Sequence, residues 1–160
     1  MVGRCRLGQD RSGAAAVEFA VVGACFFILV LLLIDLCWQV AVAAALESGA
    51  RSALRWAATG EAAPGNQSAA GHVAELVLRS SGLPLQAAGL TVSVDSFPGF
   101  STLSTPAAAR SGLGGPGDVV RYSIVYAARS LTPLGQALLP TGLLQHHLVV
   151  LAKNEPYPTN

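Results

Sequence analysis

Arg11–Ile34 reads RSGAAAVEFAVVGACFFILVLLLI, and the single carboxylate inside it, Glu18, decides how the rest of the chain is read. From Phe19 to Ile34 the run is apolar without a break for 16 residues. With Ala14–Val17 before it and Leu36–Ala45 after, it exceeds the roughly 20 residues a helix needs to cross hydrocarbon. An ionised side chain in that setting costs several kcal/mol unless it is paired, so Glu18 is a functional candidate from the outset.

Bulk composition agrees with a membrane segment joined to one small domain. The 160 residues are 52% hydrophobic and 12% charged, about half the charged share of an ordinary soluble protein. The deficit is local: between Ala14 and Leu46 the only carboxylates are Glu18 and Asp35. A net charge of +1 provides no basic field for nucleic acid, which excludes that partner class. Cys25 and Cys37 lie 12 residues apart, about 18 Å along one helix, too far to bridge within the chain. With Cys5 they read as small apolar fillers.

Arg4, Arg6 and Arg11, against Asp10, form a basic segment ahead of the apolar run. Three kinds of processing fit such a start. A secretory signal would be cut after AVAAA at Ala45, but its apolar region is normally about 7–15 residues, shorter than this one, and Glu18 stands near its beginning. A lipoprotein signal would end VGAC at Cys25, yet FFILVLLLI, the most apolar residues, follow that cysteine. A short leader cut at Gly13 would leave the apolar helix in place.

The third reading coincides with a family pattern. Type IV prepilins and pseudopilins carry a basic leader, a glycine just before the cut and a glutamate on the fifth residue after it, opening an apolar helix. Here those positions are Gly13, Ala14 as the new first residue, and Glu18. The small-residue form GAAAVEFA resembles the TadE-like proteins of tight-adherence (Flp) pilus systems. ALESGARSALRWAA resembles that family's helix extension, and the ending KNEP is similar to its RNEP-like terminus. The resemblance covers residues 11–58 well, the last 40 or so in layout, and the middle weakly. It implies a single-pass protein of the bacterial inner membrane, with its N-terminus in the cytoplasm and its head outside. It further implies a prepilin peptidase that cuts after Gly13, and contact with other pilins or pseudopilins and the pilus assembly platform. The arginines on both sides of the span do not fix that orientation by themselves.

The residues beyond the bilayer predict a continuing helix. Asp35, Gln39, Glu47, Arg51 and Arg55 follow an i, i+4 spacing, with Ala43 at the intervening step, and read as one polar stripe. Glu47 precedes Arg51 in the favourable order for a helical ion pair. Ala14–Ala58 is 45 residues, about 67 Å of helix and roughly twice the hydrocarbon thickness. The projecting half is rich in Ala, Ser and Gly, which allows another helix to approach closely. Asp35, beside Trp38, is expected at the outer membrane interface. The five polar residues of the stripe are the candidates for helix packing or partner contact.

Beyond Thr59 the composition changes. Residues 59–71 read as a linker, with Gly60 and Pro64 stopping the helix. The head, 72–160, is predicted to be α+β. A short helix places Val73, Leu76 and Val77 on an apolar face and His72, Glu75 and Arg79 on a polar one, ending at Gly82 and Pro84. Three strands are expected: Leu90–Phe97, Val119–Tyr126 with Val120, Tyr122, Ile124 and Tyr126 on one face, and Leu143–Lys153. They form a small antiparallel sheet against the helices, and Pro98–Gly117 is expected to be a long mobile loop.

The remaining chemical signals fail on context. Gly112, Gly114 and Gly117 spell G-x-G-x-x-G but precede a strand, whereas a dinucleotide site needs strand, turn and helix in that order. His146 and His147 are neighbours on a strand and point to opposite faces, so they do not share a metal, with or without His72. Asn66 begins a sequon by letters only. No catalytic residue, cofactor, metal or small-molecule substrate is expected, and the partners are the peptidase, pilus subunits and the lipid bilayer. The rival functions are a secreted soluble protein released near Ala45 and a pseudopilin of a type II secretion-like machine, which alkaline carbonate extraction and neighbouring genes would distinguish.

Overall fold

The computed structural model describes residues 11–58, 63–65, 67–139 and 141–155. Residues 1–10 of the expected leader, and Gly60 and Asn66 of the linker, lie outside them. Helix α1 runs unbroken over Arg11–Ala58, 48 residues, about 72 Å. Nothing in the sequence interrupts it: there is no proline, and the residues are dominated by Ala, Leu and Val, whose contacts with lipid or protein suit a long apolar rod.

After the linker, α2 covers Ala69–Ser80, capped by the Ser68 hydroxyl, which accepts a hydrogen bond from the Gly71 N–H. Gly82 follows with φ of 68°, the left-handed conformation that commonly stops a helix. Strands β1 (Leu90–Phe97), β2 (Arg110–Ser111), β3 (Val119–Arg129) and β4 (Leu143–Lys153) form one sheet in the order β2-β1-β3-β4. All pairings are antiparallel, with Leu90 opposite Tyr126 and Val119 opposite Lys153. A short helix, α3, fills Pro133–Leu138 between β3 and β4.

The long helix, short helix and antiparallel sheet follow the sequence expectation, with additions. A fourth, two-residue strand stands at one edge, and β3 continues three residues past Tyr126. Pro98–Gly117 is also more structured than expected: it contains β2 and two single 3-10 turns, at Phe100–Thr102 and Pro106–Ala108. Its glycines serve a turn. Gly112, Gly114 and Gly117 all have positive φ, and the Asp118 carboxylate accepts from the Gly115 N–H at 2.8 Å.

Helices cover one face of the sheet. Val120, Tyr122, Ile124 and Tyr126 of β3 are buried together, as their alternation predicts, and meet Val42, Leu46, Ala50 and Ala53 of α1 and Val73 and Val77 of α2. Each fully buried valine, leucine or isoleucine is worth about 1.5–3 kcal/mol, so this shared core binds the head to the helix. Tyr126 also accepts, through its hydroxyl, a hydrogen bond from the Gln86 N–H at 3.2 Å.

Candidate functional site: the junction of helix and head

Along α1 two halves differ sharply. From Val17 to Ile34 large apolar side chains are exposed on every side of the helix, Phe19 at 79% and Leu29 at 63%. Within Gly13–Ala58 the helix is long and apolar enough to cross a membrane. Gly13, Ala14 and Glu18 lie on its first turns, all exposed, so Gly13 is already helical here.

From Asp35 onward one face of α1 is covered. Asp35, Gln39, Val42, Leu46, Ala50, Ala53 and Ala57 are buried, at steps of four and three that follow the helical repeat. That pattern corrects the expected polar stripe. A strict four-residue step overshoots a full turn by about 40°, so between Asp35 and Arg55 the stripe turns roughly 200° around the axis. Its first two members therefore face the head, while Glu47, Arg51 and Arg55 face outward. Glu47 and Arg51 form the expected ion pair at 3.7 Å, largely exposed, which is worth little in water. Arg55 donates to the Ser52 hydroxyl at 3.3 Å.

Asp35 is not simply an interfacial charge beside Trp38. Its Oδ1 accepts from the Leu131 N–H at 2.7 Å and the Thr132 N–H at 3.0 Å, and its Oδ2 accepts from the Thr132 hydroxyl. The same hydroxyl caps α3 by accepting from the Gly135 N–H at 3.1 Å. A Cβ on Gly135 would run into the Asp35 carboxylate, so only glycine admits this approach. Charge-assisted bonds of this kind are about twice as strong as neutral ones, which makes Asp35 the lowest fastening of head to helix. Trp38 is likewise turned inward and donates its indole N–H to the Arg129 carbonyl at 3.0 Å. Around it, Gln86, Arg129, Gln136 and Leu143 line an open groove of about 660 Å³.

One turn above Asp35, Gln39 Oε1 lies 2.8 Å from His146 Nε2. His146 is half-buried and His147 exposed, on opposite sides of β4. Burial lowers the His146 pKa from its ordinary 6.5. The Gln39 side-chain nitrogen is buried with no hydrogen-bond partner among the described residues.

The small residues of α1 accommodate a helix of the same chain. A Cβ on Gly49 would come within 2.7 Å of the Val77 carbonyl oxygen and 2.8 Å of its Cα, so α2 packs backbone to backbone against α1. His72, expected on the polar face of α2, is buried instead, its ring 4.4 Å from that of Trp56 in an edge-on contact. An amphipathic reading assigns histidine to solvent by polarity, whereas its flat ring packs well against indole.

Three residues outside the sequence-derived set complete the junction and the far end of the sheet. Thr132 and Pro133 carry the signal of a helix start, a capping hydroxyl followed by proline at the first position. With only six residues, α3 is too short to show a period in the sequence. Asn154 of the KNEP ending is buried and donates to the carbonyls of Leu113 at 2.7 Å and Gly115 at 3.0 Å, closing the β2–β3 turn.

These features define a class: a small antiparallel α+β head borne on the C-terminal half of one long helix, whose N-terminal half is apolar all round. Residues 13–55, the helix from the glycine of GAAAVEFA to beyond Gly49, match the model of the family described as TadE-like protein. No curated protein and no solved structure matches the chain.

Proposed function

We infer that the chain is a membrane-anchored, non-catalytic pseudopilin of the TadE-like kind, which assists assembly or anchoring of a Flp-type tight-adherence pilus. Its N-terminus lies in the cytoplasm and its head outside the inner membrane, and a prepilin peptidase releases the leader at Gly13. The observation that supports this most is the coincidence of the matched segment with a helix that is bare below Asp35 and clad above it. Bare apolar helix suits lipid and neighbouring pilin helices.

Glu18 gains its role on cleavage. The cut creates an α-amino group on Ala14, with an ordinary pKa near 8 and so mostly positive at neutral pH. Glu18 lies one helical turn away, within reach of that amine or of a neighbouring subunit's. Pairing lowers the cost of a charge near hydrocarbon and sets the axial register between subunits. Glu18→Ala should still be processed and inserted but lose surface pili in a complementation assay. Normal piliation at equal protein level would refute the role.

The packing argues against release as a secreted protein at Ala45. Ala45 is itself buried, and cutting there would strip Asp35, Trp38, Gln39 and Val42 from their partners in the head.

A further inference from the structure

The base of the head carries leucines that no other described residue covers. The 16 residues from Ser130 to Gln145 include six leucines and no ionisable side chain. Leu131 is 54% exposed and Leu138 63%, and Leu143 and Leu144, on opposite faces at the start of β4, are exposed as well. Large apolar side chains exposed together at one end of a domain mark an interaction site.

The position of the patch identifies its occupant. Ala14–Ile34 is 21 residues of continuous helix, about 31 Å, which matches the roughly 30 Å of bilayer hydrocarbon. Asp35 therefore stands at the outer boundary of the hydrocarbon. The Leu131 N–H is 2.7 Å from the Asp35 carboxylate, so the β3–α3–β4 connection lies at that same boundary. Trp38 and Arg129, joined by a hydrogen bond at this level, are residue types that anchor at membrane–water interfaces.

We propose that Leu131, α3 and the start of β4 form a lipid-binding foot, which rests in the outer-leaflet interface and buries Leu131 and Leu138 among the upper acyl segments. The foot rests on the membrane-anchored reading above and adds a second, monotopic contact to the spanning helix. It limits how far the head can rise from the bilayer, since the fastening at Asp35 and the foot act at one level.

The test uses the full chain in phospholipid nanodiscs, with a bimane fluorophore on one cysteine at a time and the other native cysteines changed to serine. The labelled sites are the native Cys25 in the bare helix, L138C in the foot, and S101C at the far end of the sheet. Two phospholipids serve as quenchers in turn, one with a nitroxide near the glycerol end of its acyl chain and one with it near the chain terminus. Loss of emission at L138C with the shallow quencher and at Cys25 with the deep one, with S101C unaffected by either, is expected. Quenching at Cys25 but not at L138C would overturn the foot while leaving the anchor intact, and would give the leucine face to a protein partner. No quenching at Cys25 would remove the anchor and the foot together.

Discussion

Gly49→Ala tests whether the contact between α1 and α2 is as close as the structure has it, because two opposing effects decide its sign. Alanine is favoured over glycine inside a helix by about 1 kcal/mol. Against that, the new methyl would sit 2.7 Å from the Val77 carbonyl oxygen, 2.8 Å from its Cα and 3.1 Å from its Cγ1. The first two are backbone atoms, so relief requires α2 to move as a body; overpacking of this kind costs about 1–3 kcal/mol. The net expectation is a loss of about 0–2 kcal/mol, and Gly49→Val should fall at or beyond the upper end. Gly23 is the control, since a Cβ there meets nothing within 4 Å. Thermal melts in detergent micelles, followed by fluorescence of Trp56 against His72, would report loss of the head. In a domain of this size each kcal/mol moves the midpoint by about 4–8 °C. If Gly49→Ala and Gly23→Ala raised the midpoint alike, the backbone contact would be refuted.

Asp35→Ala leaves the N–H groups of Leu131 and Thr132 without their acceptor; at about 1–3 kcal/mol per orphaned buried donor, hydrogen exchange at both amides should accelerate, and unchanged protection would contradict the fastening. Since burial lowers the His146 pKa below 6.5, the unfolded chain binds the proton first as pH falls. The stability this histidine contributes is therefore complete above about 6.5 and declines from there down to the folded pKa. Among the described residues, Glu47 and His147 are the titratable groups that share its small cavity, so His146→Gln should flatten the slope in denaturant melts across that window, and a slope that persists would assign it elsewhere. N-terminal sequencing of protein from the native host should begin at Ala14, and Gly13→Val should accumulate uncut precursor; a mature chain starting at Met1 or Leu46 would exclude prepilin-type processing.

The elements with a strong period were legible from sequence. Alternation gave the buried face of β3 from Val120 to Tyr126, and the uninterrupted run after Glu18 gave α1. What escaped was set by the third dimension. Asp35 and Gln39 were grouped with Glu47, Arg51 and Arg55 because a four-residue spacing looks straight on paper, although on a helix it winds away from the head. The meaning of Asp35 also depended on Thr132, 97 residues distant, and no local pattern links the two. In the sequence Gly49 is one of several small residues that invite a helix. That α2 of the same chain takes the place follows only from the fold. β2 is too short for any period, and its two residues meet Asp95 and Ser96 only because the segment 98–109 brings the chain back beside β1.

Because one core spans α1, α2 and the sheet, the head has no joint of its own with the rod. Where the bare half spans a bilayer, as proposed above, any lean of that span is carried upward in full. From Asp35 to Ala58 the helix rises about 35 Å, so a lean of about 10° displaces its upper end by roughly 6 Å sideways. On that reading the protein is a mast with its sail lashed on: forces applied at the head arrive as torque at the bilayer, and the lipids feel the load on the sheet.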